Sequence, residues 1–315
     1  MFSFKELNDK SKNVAVIWDT KKNKQKEFIY MTERSRNMKI KEDDSYDEKI
    51  KKYVESSEDN KFILKEQYEF RPVPPKFTED YMRQVLSIFG KSGSGKSWFT
   101  AKYVEAYANF YPDHKIMYIS NNPIENDTSY SKNVKDKIEQ IDLNTVNKVI
   151  DFQDFQDCLF IFDDILDVDV SIDPNIVADQ ILASKKEKVL DFKDQAVIDK
   201  AVQMKGKVVK NYIIQSIHNL LYLARKQSVS VLITCHDLFS GREASKIIGE
   251  SHNIVLFPYS NVSNKKLKDF LTTKASYDQD EANDLLRTEF LQYEYLSLNV
   301  NGRRYFMTPS TLKIL

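Results

Sequence analysis

Short, unbroken apolar runs alternate along this chain with longer stretches of mixed polarity. Val85-Leu86-Ser87-Ile88-Phe89, Lys115-Ile116-Met117-Tyr118-Ile119-Ser120, Cys158-Leu159-Phe160-Ile161-Phe162 and Val229-Ser230-Val231-Leu232-Ile233-Thr234-Cys235-His236 are dense in apolar residues and too short for helices. Such runs predict core strands covered on both faces. Helical patterns separate them, at Ser97 to Phe110 and at Asn211 to Lys226, where Ile213, Ile214, Ile217, Leu220, Leu221 and Leu223 fall on one face. Strands alternating with helices favour an α/β chain with a mostly parallel sheet. Weaker patterns make Ile138 to Leu143 a short strand, Asn144 to Gln156 a capped helical turn, Lys265 to Lys268 part of a helix, and Gln279 to Phe290 another helix.

Both ends carry strand-like alternation. Val14-Ala15-Val16-Ile17-Trp18 and Phe28-Ile29-Tyr30-Met31 predict a hairpin across the polar stretch Asp19 to Glu27. Tyr293 to Leu298 and Arg304 to Met307 predict a second hairpin, with Asn301-Gly302 as its turn. Lys39 to Asn60 is dense in charge and poor in apolar anchors, so it reads as an exposed helix or a mobile insertion without a compact core. Arg71-Pro72-Val73-Pro74-Pro75 is a stiff extended linker. The expected division is a small N-terminal layer at 1–80, a core at 81–275 with an insertion at 171–210, and a C-terminal helix and hairpin at 276–315.

Composition narrows the class without deciding it. The 315 residues are 41% hydrophobic, enough for a sizeable core. No apolar run reaches the roughly 20 residues needed to span a bilayer, and Met1-Phe2-Ser3-Phe4-Lys5 lacks a signal-peptide pattern, so a cytosol-like compartment is expected. Lysine plus arginine and aspartate plus glutamate each number 47, so any nucleic-acid contact must come from a local patch. Ser184 to Lys210, with eight lysines against four acids, is either such a patch or a solvated surface helix. Cys158 and Cys235 both lie in apolar runs and read as buried thiols, with nothing to suggest zinc.

The chemistry enters at Gly90-Lys91-Ser92-Gly93-Ser94-Gly95-Lys96-Ser97, which fits the phosphate-loop pattern G-x-x-x-x-G-K-[ST]. A strand pattern precedes it and a helix pattern follows. Three of the chain's seven glycines lie in this octet, where the backbone must approach a phosphate closely. Backbone N–H groups and the helix N-terminus surround the β-phosphate, Lys96 neutralises the β/γ oxygens and Ser97 coordinates Mg²⁺; Trp98 is grouped with them as nucleotide-binding. Leu159 to Phe162 ends in Asp163-Asp164, a Walker B pattern: Asp163 would hold the Mg²⁺ water shell and Asp164 would orient or deprotonate the attacking water. A strand ending in a solvated acidic turn is the other reading.

Together these motifs resemble the HerA/FtsK superfamily of DNA-pumping ATPases, and within it the packaging ATPases of large double-stranded DNA viruses of poxvirus type. The residues concerned are Gly90 to Ser97, Leu159 to Asp164, Leu223-Ala224-Arg225-Lys226 leading into Val231 to Thr234, and the run Ser251 to Pro258, which is similar to the strand closing the core in that family. The resemblance covers roughly 82–275 and implies an α/β P-loop NTPase of ASCE, HerA/FtsK-like type. Its mostly parallel central sheet would be flanked by helices, with small β-hairpin additions at both termini. It further implies ATP and Mg²⁺ as cofactors, double-stranded DNA as partner, a homo-oligomeric ring, and a capsid or portal protein as a further contact. The place of action would be host cytoplasm or a viral factory, with virion association.

The resemblance also assigns roles. Arg225 would act across the subunit boundary, with Arg242 as the alternative; a cation at a helix C-terminus is the plain reading of Arg225. Two positions depart from the family. Asp164 stands where glutamate is frequent, and Thr234-Cys235-His236 stands where glutamine is frequent. His236 is either a γ-phosphate sensor or a structural histidine, with Thr234 as the other donor. In such a sheet Cys158 begins one strand and Cys235 ends its parallel neighbour, so the two cannot form a disulfide. Two further readings stay open: a nucleotide-gated scaffold without sustained turnover, and a small-molecule phosphotransferase, which the scarcity of arginines after the loop disfavours.

Overall fold

The apolar runs pair side by side because each presents apolar side chains to both faces. A computed structural model of the chain describes residues 2–6, 11–32, 44–58, 61–77, 83–151, 153, 155–166, 169–185, 192–223, 227–236, 241–259, 264–287, 290–301 and 304–315. In chain order the elements are β1 (Phe2–Ser3), β2 (Lys12–Asp19), β3 (Lys24–Met31), α1 (Asp44–Tyr53), β4 (Val54–Glu58), β5 (Lys61–Leu64), β6 (Tyr68–Arg71), β7 (Val85–Phe89), α2 (Lys96–Phe110), β8 (Lys115–Ile119), α3 (Lys132–Lys135), β9 (Ile138–Gln140) and β10 (Cys158–Phe162). They continue with α4 (Pro174–Lys185), α5 (Phe192–Leu223), β11 (Val229–Cys235), α6 (Gly241–Glu250), β12 (Asn253–Leu256), α7 (Asn264–Thr273), α8 (Gln279–Leu286), β13 (Leu296–Asn299), β14 (Tyr305–Met307) and β15 (Thr311–Ile314).

An 11-stranded sheet runs in the order β4-β5-β15-β14-β13-β12-β7-β11-β10-β8-β9. From β12 to β9 every pairing is parallel; from β12 back to β4 every pairing is antiparallel. Alternate residues of the parallel strands enter two separate cores. Cys158, Phe160 and Phe162 of β10 join Val209, Ile213 and Ile217 of α5 and Ile247 of α6 on one face. Leu159 and Ile161 join Phe99, Tyr103, Val104 and Tyr107 of α2 on the other. This two-sided coverage is why the strands read as continuous apolar runs.

Residues 1–80 do not form one separate layer. β1, β3, β2 and β6 make a four-stranded antiparallel sheet, but β4 and β5 join the large sheet through β15. The charged stretch expected to lack a core runs from α1 into β4, and Tyr53 and Val54 are buried at the junction. The proline-rich segment is buried too: Tyr111 donates to the Pro75 carbonyl at 2.6 Å and stacks on Phe77 at a ring separation of 4.8 Å. These contacts fasten the proline-rich segment to the end of α2.

Other boundaries also differ from expectation. No helical turn of the α type forms among the described residues between 144 and 156; Asp142 instead accepts the Asn144 N–H at 2.9 Å and sets up a tight turn. The helix expected from Asn211 starts at Phe192 and takes in much of the lysine-rich stretch. α8 stops at Leu286, short of Phe290. The C-terminal strands are part of the main sheet, with β13 pairing to β12. The turn expected at Asn301-Gly302 involves Gly302, outside the described residues.

Candidate active site

All parallel strands deliver their C-terminal ends to one edge, where ligands bind in open α/β sheets. β7 ends in the Gly90–Ser97 loop, β10 in Asp163-Asp164 and β11 in His236. β11 lies between the loop strand and the two-carboxylate strand, with Cys235 beside Phe89 and Ile233 beside Phe162. The Gly90 N–H donates to the Cys235 carbonyl at 3.1 Å, fixing the start of the loop to β11.

Gly93 and Gly95 adopt φ +74° and +111°, the left-handed region that glycine enters without steric cost. Gly95 thereby turns the chain into α2, and its position is the N-cap. No side chain caps this helix, so its first N–H groups remain available to an anion. Ser94 supports the same fit, because its buried Oγ has no hydrogen-bond partner. Such a hydroxyl costs free energy unless an acceptor arrives, and a phosphate oxygen would supply one.

Lys96 is 6% exposed, and its ammonium donates to the Gly90 carbonyl at 2.7 Å. It lies 3.3 Å from His236 Nδ1 and 3.7 Å from Asp164 Oδ1. His236 Nε2 reaches Asp164 Oδ2 at 3.1 Å. A ring carrying its hydrogen on Nε2 satisfies both contacts, accepting from Lys96 and donating to Asp164. Asp164 has φ +50°, a conformation aspartate tolerates better than most residues and one that gathers at functional sites.

Thr234 stands beneath the two carboxylates. Its hydroxyl donates to Asp163 Oδ1 at 2.7 Å, lies 3.0 Å from Asp164 Oδ1, and accepts the Asp164 backbone N–H at 2.8 Å. Tyr118, one strand over on β8, donates to Asp163 Oδ2 at 2.8 Å. Burial holds the Asp163 carboxyl above its ordinary range; the Thr234 and Tyr118 hydrogen bonds pull it down, and the Asp164 charge pushes it up.

No family model matches the chain. Over 182 residues it is 24% identical to uncharacterized protein V3 of Sputnik virophage, a match covering 56% of this chain and 57% of that protein. The chain thus spans a little over half the length of this curated relative. Among solved structures it is similar to the genome packaging NTPase B204 of Sulfolobus turreted icosahedral virus 2 in complex with AMPPCP, at 12% identity and TM-score 0.42, over 73% of this chain and 98% of that one. It is also similar to the pCW3 conjugation coupling protein TcpA, monomer form with ATPgS, at 10% identity and TM-score 0.36, over 92% of this chain and 73% of that one. At these scores the likenesses carry no weight in assigning roles, and the site rests on its own residues.

Of the residues singled out in the sequence, the structure brings Lys96, Asp163, Asp164, Thr234 and His236 into one hydrogen-bonded cluster beside the Gly90–Ser97 loop. Ser97 is exposed in the first turn of α2, following Lys96. Trp98 is 38% exposed and faces the N-terminal layer, where the Arg71 guanidinium lies 5.5 Å from its ring and 4.0 Å from that of Trp18. Arg225 and the Arg242 side chain lie outside the described residues. Cys158 and Cys235 are buried on adjacent strands and neither is in a disulfide. Tyr118 went unremarked in the sequence, because within Lys115 to Ser120 it reads as one more apolar strand residue.

Proposed function

We propose that the chain is an ATP-hydrolysing, Mg²⁺-dependent double-stranded DNA translocase of ASCE, HerA/FtsK-like type, working as a ring that loads a viral genome into a capsid. The observation that carries the hydrolytic part is the insertion of β11 between the loop strand and the Asp163-Asp164 strand. It sets Asp164 beside the loop, with Oδ1 3.7 Å from the Lys96 ammonium, so a water held by Asp164 would face the γ-phosphate that Lys96 holds, which supports hydrolysis over direct transfer. The DNA-pumping part is supported by the motif resemblance.

In this reading the loop N–H groups and Lys96 hold the phosphates, and Ser94 donates its otherwise unpartnered hydroxyl. Ser97 and Asp163 would hold Mg²⁺, a hard cation that binds through few protein oxygens and keeps several waters. When bound, the ion neutralises charge on the β- and γ-oxygens. Asp164 takes the proton of the attacking water, held in place by Thr234 below and His236 beside it. His236, already within reach of Lys96, reports the γ-phosphate when Lys96 turns to it. Arg225 would complete the site of a neighbouring subunit, an effect worth about 10³ to 10⁵ in rate in well-studied NTPases.

The test is the ATPase rate with and without duplex DNA, alongside the mass of the assembled species. Hydrolysis stimulated by duplex DNA in a multimer is expected. ATP binding without turnover would favour a nucleotide-gated scaffold, and ADP formation that requires a small-molecule acceptor would favour a phosphotransferase. Among the described residues no helix is long and apolar enough to cross a membrane.

A further inference from the structure

Beside the phosphate loop lies a cleft of about 500 Å³ lined by Lys91, Ser92, Gly93 and Ser94 of the loop and by Phe257, Tyr259, Gln292, Tyr293 and Glu294 of the C-terminal part. The Phe257 ring packs against the loop so closely that a Cβ on Gly90 or Gly95 would come within 3.0 or 3.1 Å of it. Tyr259 and Tyr293 both line this cleft and are each 60% exposed, so much of both rings stands open beside the loop. Tyr293 also sits at φ +69°, in a turn closed by the Glu294 N–H donating to the Leu291 carbonyl at 3.1 Å and the Leu291 N–H donating to Glu294 Oε2 at 2.8 Å. A tyrosine held in the left-handed region, with its ring largely in water, gains nothing for the core and calls for another explanation.

We propose that this cleft receives the aromatic base of the nucleotide whose phosphates the Gly90–Ser97 loop holds. Tyr259 and Tyr293 supply the stacking surfaces, and the Gln292 amide, with both donors and an acceptor, meets the base edge. The proposal deepens the nucleotide-binding reading above and rests on it. The cleft falls within the 300 to 1,000 Å³ usual for small-molecule sites. Its rings and amide suit a planar base, whereas a lining with one lysine and one carboxylate, Lys91 and Glu294, does not suit a second polyanion. Trp98, which directly follows the loop in sequence, has its ring against Arg71 instead.

The experiment measures the affinity of the full chain for ATP and for inorganic tripolyphosphate, each with Mg²⁺, in the unmodified protein and in Tyr259→Ala, Tyr293→Ala, Tyr293→Phe and Trp98→Ala. Base–aromatic stacking is of a size that makes loss of one ring on the order of a tenfold change in affinity. ATP binding should therefore weaken about tenfold in each tyrosine-to-alanine variant, with tripolyphosphate affinity unchanged and Tyr293→Phe close to the unmodified protein. Unchanged ATP affinity in both alanine variants, equal loss for ATP and tripolyphosphate, or loss confined to Trp98→Ala would overturn the base cleft. An unmodified protein that binds ATP no more tightly than tripolyphosphate would also overturn it, leaving the phosphate loop intact. Failure of the unmodified protein to bind either would remove the nucleotide reading itself.

Discussion

The Tyr118 hydroxyl donates to Asp163 Oδ2 across 2.8 Å, linking β8 to the carboxylate at the tip of β10. Asp163 is held above its ordinary pKa by burial, and this bond works in the opposite direction. Tyr118→Phe therefore raises the Asp163 pKa further, since the ionised form loses a donor. The sign for activity follows: a metal-holding carboxylate must be ionised, so the acid limb of the Mg-ATPase pH profile moves to higher pH. The Mg²⁺ concentration for half-maximal rate should rise as well. An unshifted acid limb and unchanged Mg²⁺ dependence would assign Tyr118 to packing alone.

Thr234 ties the Asp163 carboxylate to the Asp164 carboxylate and backbone N–H, and it is wholly buried. Thr234→Val keeps the shape and removes the hydroxyl, which leaves the Asp164 N–H and both carboxylates short of a partner. A buried polar group so exposed to loss costs about 1–3 kcal/mol, so a lowering of a few degrees in Tm is expected. Thr234→Ser should restore most of it. If valine and serine variants melt alike, the hydroxyl is not what holds the two carboxylates.

Lys96→Ala and Asp164→Asn separate binding from chemistry. Lys96→Ala removes the buried ammonium that neutralises phosphate, and ATP binding should fall with hydrolysis. Asp164→Asn keeps the shape and should spare ATP binding while lowering kcat on the order of 10²- to 10⁴-fold, the usual worth of a positioned base. Normal turnover in Asp164→Asn would show that Asp164 is not the group that activates water.

Legibility in the sequence followed burial. β7, β10 and β11 stood out because helices cover both their faces, and the loop stood out because its glycines are fixed by backbone geometry. β4 was hidden, since Val54–Glu58 is mostly polar and becomes a strand only where β5 offers a ladder. β15 was hidden for a similar reason: Thr311, Leu312 and Lys313, just after Pro309-Ser310, pair to Ile63, Phe62 and Lys61, some 250 positions earlier. The Tyr118–Asp163 bond depends on the register that sets Tyr118 beside Ile161, which no local pattern encodes. The tyrosines of the cleft beside the loop were likewise scattered across two loops of the C-terminal part.

The lysine-rich insertion now has a defined face. On α5, Val197, Met204 and Val208 are exposed at 52%, 61% and 47%, and Lys200 and Lys207 are exposed beside them, whereas Lys205 and Lys210 are half-buried. If this face meets DNA, Lys200→Ala with Lys207→Ala should weaken duplex binding and flatten the slope of log affinity against log salt by about 1 per lost phosphate contact. Replacing Lys205, Lys207 and Lys210 together should then show most of its effect through Lys207. Unchanged affinity and slope in the double variant would make α5 a solvated flank of the core.

Burial also fixes the behaviour of the thiols. Cys158 starts β10 with its thiol pushed up to about 12 by burial, so at pH 8 almost none of it is thiolate. Cys235 ends β11, the parallel neighbour, and neither is in a disulfide. A colorimetric thiol reagent should therefore find Cys158 unreactive in the native protein at pH 8. In denaturant, without reductant, it should titrate two thiols. Rapid native labelling at Cys158 would mean that β10 opens far more readily than its place in the sheet implies, and fewer than two thiols after denaturation would mean a disulfide that adjacent parallel strands, with one thiol at each end, do not allow.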